Sequence, residues 1–137
     1  MQFASIRLLT ADLERLVEFY EQATGLPATR YTPDFAELRT PGATLAIGSL
    51  RTPELAGNPH VAAAANRSAI IEFHVEDVDA TYQRIAELLG PDVVQTPTTM
   101  PWGNRSLLFR DPDGNLVNFF TPVTSAAQQR FARQAVS

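Results

Sequence analysis

Ile70-Ile71-Glu72-Phe73-His74-Val75-Glu76-Asp77-Val78, with Gly90-Pro91 beyond it, is the stretch whose reading decides the fold, because the same pattern stands 65 positions earlier. There Ser5-Ile6-Arg7-Leu8-Leu9-Thr10 precedes Asp12, and Gly25 is followed by Pro27. Each copy reads as a short strand and then an aspartate placed to cap a helix. Leu13, Leu16, Val17, Tyr20 and Ala23 fall at helical spacing in the first copy, and Val78, Tyr82, Ile85 and Leu89 in the second. Gly25 and Gly90 supply the helix stops.

Working outward, each helix is followed by more strand-like sequence. Ala28 to Tyr31 and Val93 to Thr96 read as strands. Leu38 to Pro41 leads through Gly42 to Ala43–Gly48, and Phe109 to Asp113 leads through Gly114 to Asn115–Phe120. Each half is therefore a βαβββ unit whose helix covers one sheet face. The expected fold is α+β: two tandem βαβββ modules forming a cupped mixed sheet with a central cavity. The chain is expected to be a single domain over 1–137. Module one spans about 1–50, the linker 51–68, module two about 69–122, and the C-terminal tail 123–137. The linker, with Pro53, Gly57, Pro59 and its alanines, reads as a cover for the cavity mouth or as a mobile connection. The tail reads as a short, weak helix capped by Ser125.

Composition narrows the function. At 137 residues and 45% apolar, the chain can bury a core without a disulfide or structural metal. It has no cysteine, which removes cysteine zinc sites, iron–sulfur clusters and thiol nucleophiles. With two histidines, His60 and His74, one chain cannot build a three-histidine metal site. The net charge of -4, without a basic cluster, argues against nucleic acid and anionic membrane. No run approaches a membrane span, and the first residues lack the apolar run of a signal peptide. The expectation is a cytoplasmic protein.

Pro101-Trp102-Gly103-Asn104-Arg105 and then Leu108-Phe109-Arg110-Asp111-Pro112-Asp113-Gly114-Asn115-Leu116-Val117-Asn118-Phe119 resembles the closing signature of the vicinal oxygen chelate superfamily. This is the glyoxalase, bleomycin-resistance and extradiol-dioxygenase group. Ala11-Asp12-Leu13-Glu14-Arg15 through Phe19-Tyr20 and Gly25-Leu26 resembles its opening signature, and Glu76-Asp77-Val78-Asp79-Ala80 the start of its second module. The resemblance implies the fold strongly and the chemistry weakly, since one fold hosts many functions. Asp113-Gly114 is a tight-turn pair preset by Pro112, and Asp111 is expected to tie the turn together.

In metal-dependent members the ligands come from the first and last strands of each module. Carried over, those positions are Ser5, Ala46, Ile70 and Asn118, in place of His, Gln and Glu. Such a set is a poor divalent-metal site, so the expectation is no metal and no cofactor. Strand alternation puts Arg7 with Ser5, and Glu72 and His74 with Ile70, on the cavity side. Arg7 and Glu72 occupy equivalent positions and read either as an ion pair joining the modules or as ligand contacts. Glu72 and His74 could begin a metal site, which would need a third ligand from His60 on the linker or a further carboxylate. Trp102 reads as a stacking ring at the cavity rim or as a packing plug. Arg105 reads as an anion contact or a solvated side chain, and Asn118 as a polar group facing the cavity.

The expected ligand-binding residues are Arg7, Glu72, Trp102, Arg105 and Asn118, and no catalytic residue is assigned. The expected function is metal-independent binding of a small, partly aromatic molecule. The alternative is a lyase, isomerase or dioxygenase using an atypical metal site or metal-free acid–base catalysis. The partners implied are a small-molecule ligand and, by resemblance, a second copy in a homodimer.

Overall fold

Alternation of apolar residues in Ser5–Thr10 produces the first strand, β1, and Thr10 starts the turn out of it. The Thr10 hydroxyl donates to the Asp12 carbonyl at 3.2 Å and accepts from the Asp12 amide at 3.2 Å. Asp12 then caps helix α1 (Leu13–Thr24), its carboxylate accepting from the Arg15 amide at 3.1 Å. Gly25, with φ of 74°, ends the helix in the left-handed region, as its lack of a Cβ permits. The computed structural model describes residues 1–52 and 57–136, with side chains described through 133. The part of the linker at 53–56, and Ser137 in the tail, therefore lie outside the described residues.

Strands β2 (Thr29–Thr32), β3 (Phe35–Arg39) and β4 (Thr44–Ser49) complete a sheet of order β1-β4-β3-β2. β1 and β4 run parallel, with Arg7 opposite Ala46, and the other pairs are antiparallel. One face carries Leu8, Ala36, Leu38, Leu45 and Ile47, all buried with Leu16, Val17 and Tyr20 of α1. Arg30 of β2 forks between Glu14 and Glu21 of α1, at 2.7 and 2.8 Å.

The second half repeats the plan. β5 (Ile70–His74) leads to α2 (Val78–Leu89), capped by the Asp77 carboxylate, which accepts from the Ala80 amide at 3.2 Å. A 3-10 turn at Gly90–Asp92 follows, then β6 (Val93–Thr99), β7 (Asn104–Arg110) and β8 (Leu116–Pro122). The sheet order is β5-β8-β7-β6, with β5 and β8 parallel and Glu72 opposite Asn118. Thr121 fixes the strand-to-helix junction: its hydroxyl donates to the Val75 carbonyl at 2.8 Å and accepts from the Val78 amide at 3.0 Å. The core between this sheet and α2 contains Val78, Ile85, Leu89, Leu107, Phe109, Val117 and Phe119.

The fold is α+β, built of two tandem βαβββ modules, each with a four-stranded mixed sheet. Two compact units divide the chain: Met1–Asn66 with Pro112–Gly114, and Arg67–Asp111 with Asn115–Ser137. The described part of the linker holds turns and no strand. The tail is the expected helix, α3 (Ser125–Val136), but its cap is Thr124, whose hydroxyl accepts from the Ala127 amide at 3.2 Å. Ser125 is the first helical residue, where a hydroxyl has no cap to make. Among the described residues no helix is long and apolar enough to cross a membrane.

Candidate functional site

In each module one sheet face packs on its helix, and the opposite face, called the open face because that helix does not cover it, carries both buried and exposed residues. Register assigns Glu72, His74, Asn118, Phe120, Ser106 and Leu108 to the open face of the second module. Asn118 is 7% exposed, and its Nδ2 donates to Glu72 Oε2 at 2.8 Å. Its carbonyl oxygen, Oδ1, is buried and accepts no hydrogen bond among the described residues. Leaving a buried acceptor unmet costs about 1–3 kcal/mol. The pair therefore presents a carboxylate held in place by an amide, beside an unused carbonyl. Such an arrangement accepts hydrogen bonds and favours cationic or N–H-bearing groups.

His74 and Phe120 continue this face toward the end of β5. Their rings meet edge to face, with centroids 5.9 Å apart. Phe131 of α3 stacks on His74, with centroids 4.1 Å apart and planes 19° apart. The sequence placed His74 on the open face but gave no sign of this cover, because Phe131 arrives from an element 57 residues away.

Arg7 lies on the open face of the first module, opposite Ala46. Its guanidinium sits 5.9 Å from the centroid of Phe35, a cation–π arrangement. Its stem passes close over Gly48, where an added Cβ would be 3.4 Å from Arg7 Cδ. Ala46 and Gly48 thus leave room for Arg7 to lie along the sheet.

Arg105 is placed elsewhere. Arg105, Leu107 and Phe109 alternate onto the face of β7 that packs on α2. There Arg105 Nε and Nη2 donate to the two Asp79 oxygens at 2.8 and 3.0 Å, and Nη1 to Thr99 Oγ1 at 3.3 Å. Those hydrogen bonds, ahead of simple charge attraction, hold the Asp79 carboxyl below its ordinary range. The structure therefore places Arg105 on the helix side of its sheet and not beside Glu72 and Asn118. The reason is the two-residue period of a strand.

Trp102 lies in the loop before β7 and is 57% exposed, too open to plug its own sheet. Its carbonyl accepts from Arg130 Nη2 of α3 at 2.9 Å. Gly103 follows with φ of 95°, and an added Cβ there would run into Thr124 Oγ1 and come within 2.9 Å of Ala127 Cβ. The loop and the start of α3 are thus built around each other.

The metal question turns on donor chemistry. The resemblance assigns the metal-ligand positions to Ser5, Ala46, Ile70 and Asn118. Two of these side chains have no donor atom, and Ser5 and Asn118 offer only neutral oxygens. Among the described residues no group of three or more His, Asp or Glu side chains is placed to hold a metal ion. The residues present do not fit a divalent cation bound in that way.

The comparisons agree with the fold. The Glyoxalase/Bleomycin resistance protein/Dioxygenase superfamily profile matches residues 2–119. The "Uncharacterized protein YraH" of Bacillus subtilis (strain 168) is 31% identical over 126 residues, covering 88% of this chain and 98% of that protein. A glyoxalase/bleomycin resistance protein/dioxygenase from Nocardioides superposes with a TM-score of 0.71 at 26% identity, covering 91% of this chain and 85% of that one. A protein of unknown function from Agrobacterium tumefaciens str. C58 gives 0.74 at 26% identity, over 88% and 94% of the two chains. With the repeated modules, the signatures and these matches together, the chain belongs to the Glyoxalase/Bleomycin resistance protein/Dioxygenase superfamily.

Proposed function

We propose that this chain is a metal-independent binding protein for a small, partly aromatic molecule carrying a hydrogen-bond donor. The observation that carries the reading is the Glu72–Asn118 pair, with one buried carbonyl still unmet. Glu72 and Asn118 supply the polar contacts. Trp102, in the loop before β7, is proposed as a further ligand contact, and Arg7 as a ligand contact of the first module taken by itself. Arg105, committed to Asp79, drops out of the ligand set and acts as a strut. The chain is proposed to act as one domain, as a homodimer in the cytoplasm, without nucleic-acid or membrane partners.

A thermal-shift screen with planar aromatic amines tests the reading. Compounds that raise the melting temperature of the wild type should do so much less in Glu72→Gln and Asn118→Leu. Equal shifts in all three proteins would refute it.

A second reading rests on the same carboxylate. An exposed Glu72 oriented by Asn118 has the geometry of a general base. A superfamily activity abolished in Glu72→Gln, with ligand affinity kept, would favour a lyase, isomerase or dioxygenase over a binding protein.

A further inference from the structure

The C-terminal helix occupies the most aromatic part of the open face. Phe131 lies flat on His74 and meets Phe120 edge-on, with centroids 4.1 and 6.1 Å away. Flat stacking on one ring and edge contact with another is how a planar aromatic ligand would be held.

Among the described side chains of α3, Ala127 is buried and Phe131 half-buried, while Gln128, Gln129, Arg130, Ala132 and Arg133 are exposed. Their polar anchorage beyond the cap is Arg130 on the Trp102 carbonyl, at 2.9 Å, and a long 3.5 Å approach of Gln128 to the Pro122 carbonyl. A helix of 12 residues is marginal in water without packing, so α3 depends on its docking contacts.

Next to these rings, His74 exposed and Phe120 half-buried, stands the Glu72–Asn118 pair, one same-face step back along β5 and β8. Its unmet carbonyl is out of reach of water. α3 reaches the same sheet face through Phe131, on His74 and Phe120.

We infer that His74 and Phe120 form the stacking floor for a planar aromatic cation with N–H donors, and that Phe131 of α3 is an internal occupant of that floor which the ligand displaces. The inference rests on the binding reading above and adds the ligand class and a competing segment. The aromatic plane takes the place of Phe131, and the N–H groups reach Glu72 and Asn118. Affinity is then reduced by the fraction of molecules whose floor is free.

Proflavine, a planar acridinium with two amino groups, is a suitable probe, followed by fluorescence titration of the full chain. Phe131→Ala removes the internal ring, and Gln129→Pro breaks α3 at an exposed position, undocking Phe131 without replacing it. Both variants should bind proflavine at least about ten-fold tighter than the wild type, as expected if the floor is free in about a tenth of molecules or fewer. Adding Glu72→Gln to Phe131→Ala should weaken binding again. Saturating the wild type should accelerate amide hydrogen exchange across α3. Equal affinities in the wild type and both α3 variants, or unchanged exchange in α3, would overturn displacement and leave the binding reading standing. Absence of saturable binding throughout, or indifference to Glu72→Gln, would overturn the ligand class as well.

Discussion

Replacing Asp111 by alanine should cost about 3–5 kcal/mol of folding free energy, a third or more of what a typical domain possesses. Asp111 and Asn115 are 3% and 4% exposed, at the two ends of the turn between β7 and β8. Asp111 Oδ1 accepts from the Asn115 amide at 2.9 Å, and Oδ2 from Asn115 Nδ2 at 2.8 Å. Alanine keeps the bond from the Asp111 amide to the Asn115 carbonyl, at 3.0 Å, but leaves two buried donors unmet. Each hydrogen bond to a charged acceptor contributes about 1.5–3 kcal/mol, and the orphaned donors set the total. Asp111→Asn keeps the size and one acceptor, so it should cost less, about 1–2 kcal/mol. Urea unfolding at neutral pH followed by circular dichroism measures both, and the slope should not change. In melting temperature the alanine variant should fall by roughly 10–20 °C. A loss below about 1 kcal/mol for alanine, or equal losses for the two variants, would refute the view that this turn is held by its buried carboxylate.

The remaining predictions concern α1 and α3. Hydrogen bonds from Arg30, and then from the Ala28 amide, hold the Glu21 carboxyl below its ordinary range. Its stabilising contribution is therefore full above the unfolded-state value of about 4.3 and lost as pH falls through the lower folded value. Glu21→Gln should be less stable than the wild type by at most about 1 kcal/mol at neutral pH, and the gap should close in acid unfolding series below about pH 4. A gap that widens toward low pH would contradict this assignment. Thr124→Ala should cost α3 about 1 kcal/mol of local stability, read as faster amide exchange, while Ser125→Ala should change it by under about 0.5 kcal/mol. The reverse order would return the cap to Ser125. Gly103→Ala should expose α3 to exchange more than either, because φ is 95° there and a Cβ would collide with Thr124.

The repeat was legible because both modules carry their own local punctuation. Asp12 and Asp77 cap, Gly25 and Gly90 stop, and the apolar periods between them match the buried faces observed. Strand alternation put Glu72 and His74 on one face, and the family resemblance added Asn118, which the register sets opposite Glu72. The side on which Arg105 lies was also legible, since counting by two from Leu107 and Phe109 puts it with the core side of β7. Thr124 and Ser125 are adjacent hydroxyl residues, and only the hydrogen bond to Ala127 separates them. The stacking of Phe131 on His74 had no local trace. It is a contact between distant segments, and a single phenylalanine in a polar helix reads the same whether docked or free.

The central claim, that this superfamily member works without the metal of its enzymes, is tested most directly by metal content. Tag-free protein would be dialysed against manganese, iron, nickel and zinc, desalted, and assayed by elemental analysis. The account predicts no retention above background for any of the four. Near-stoichiometric retention of one metal, lost in Glu72→Gln or His74→Ala, would contradict it and move the chain among the metal enzymes.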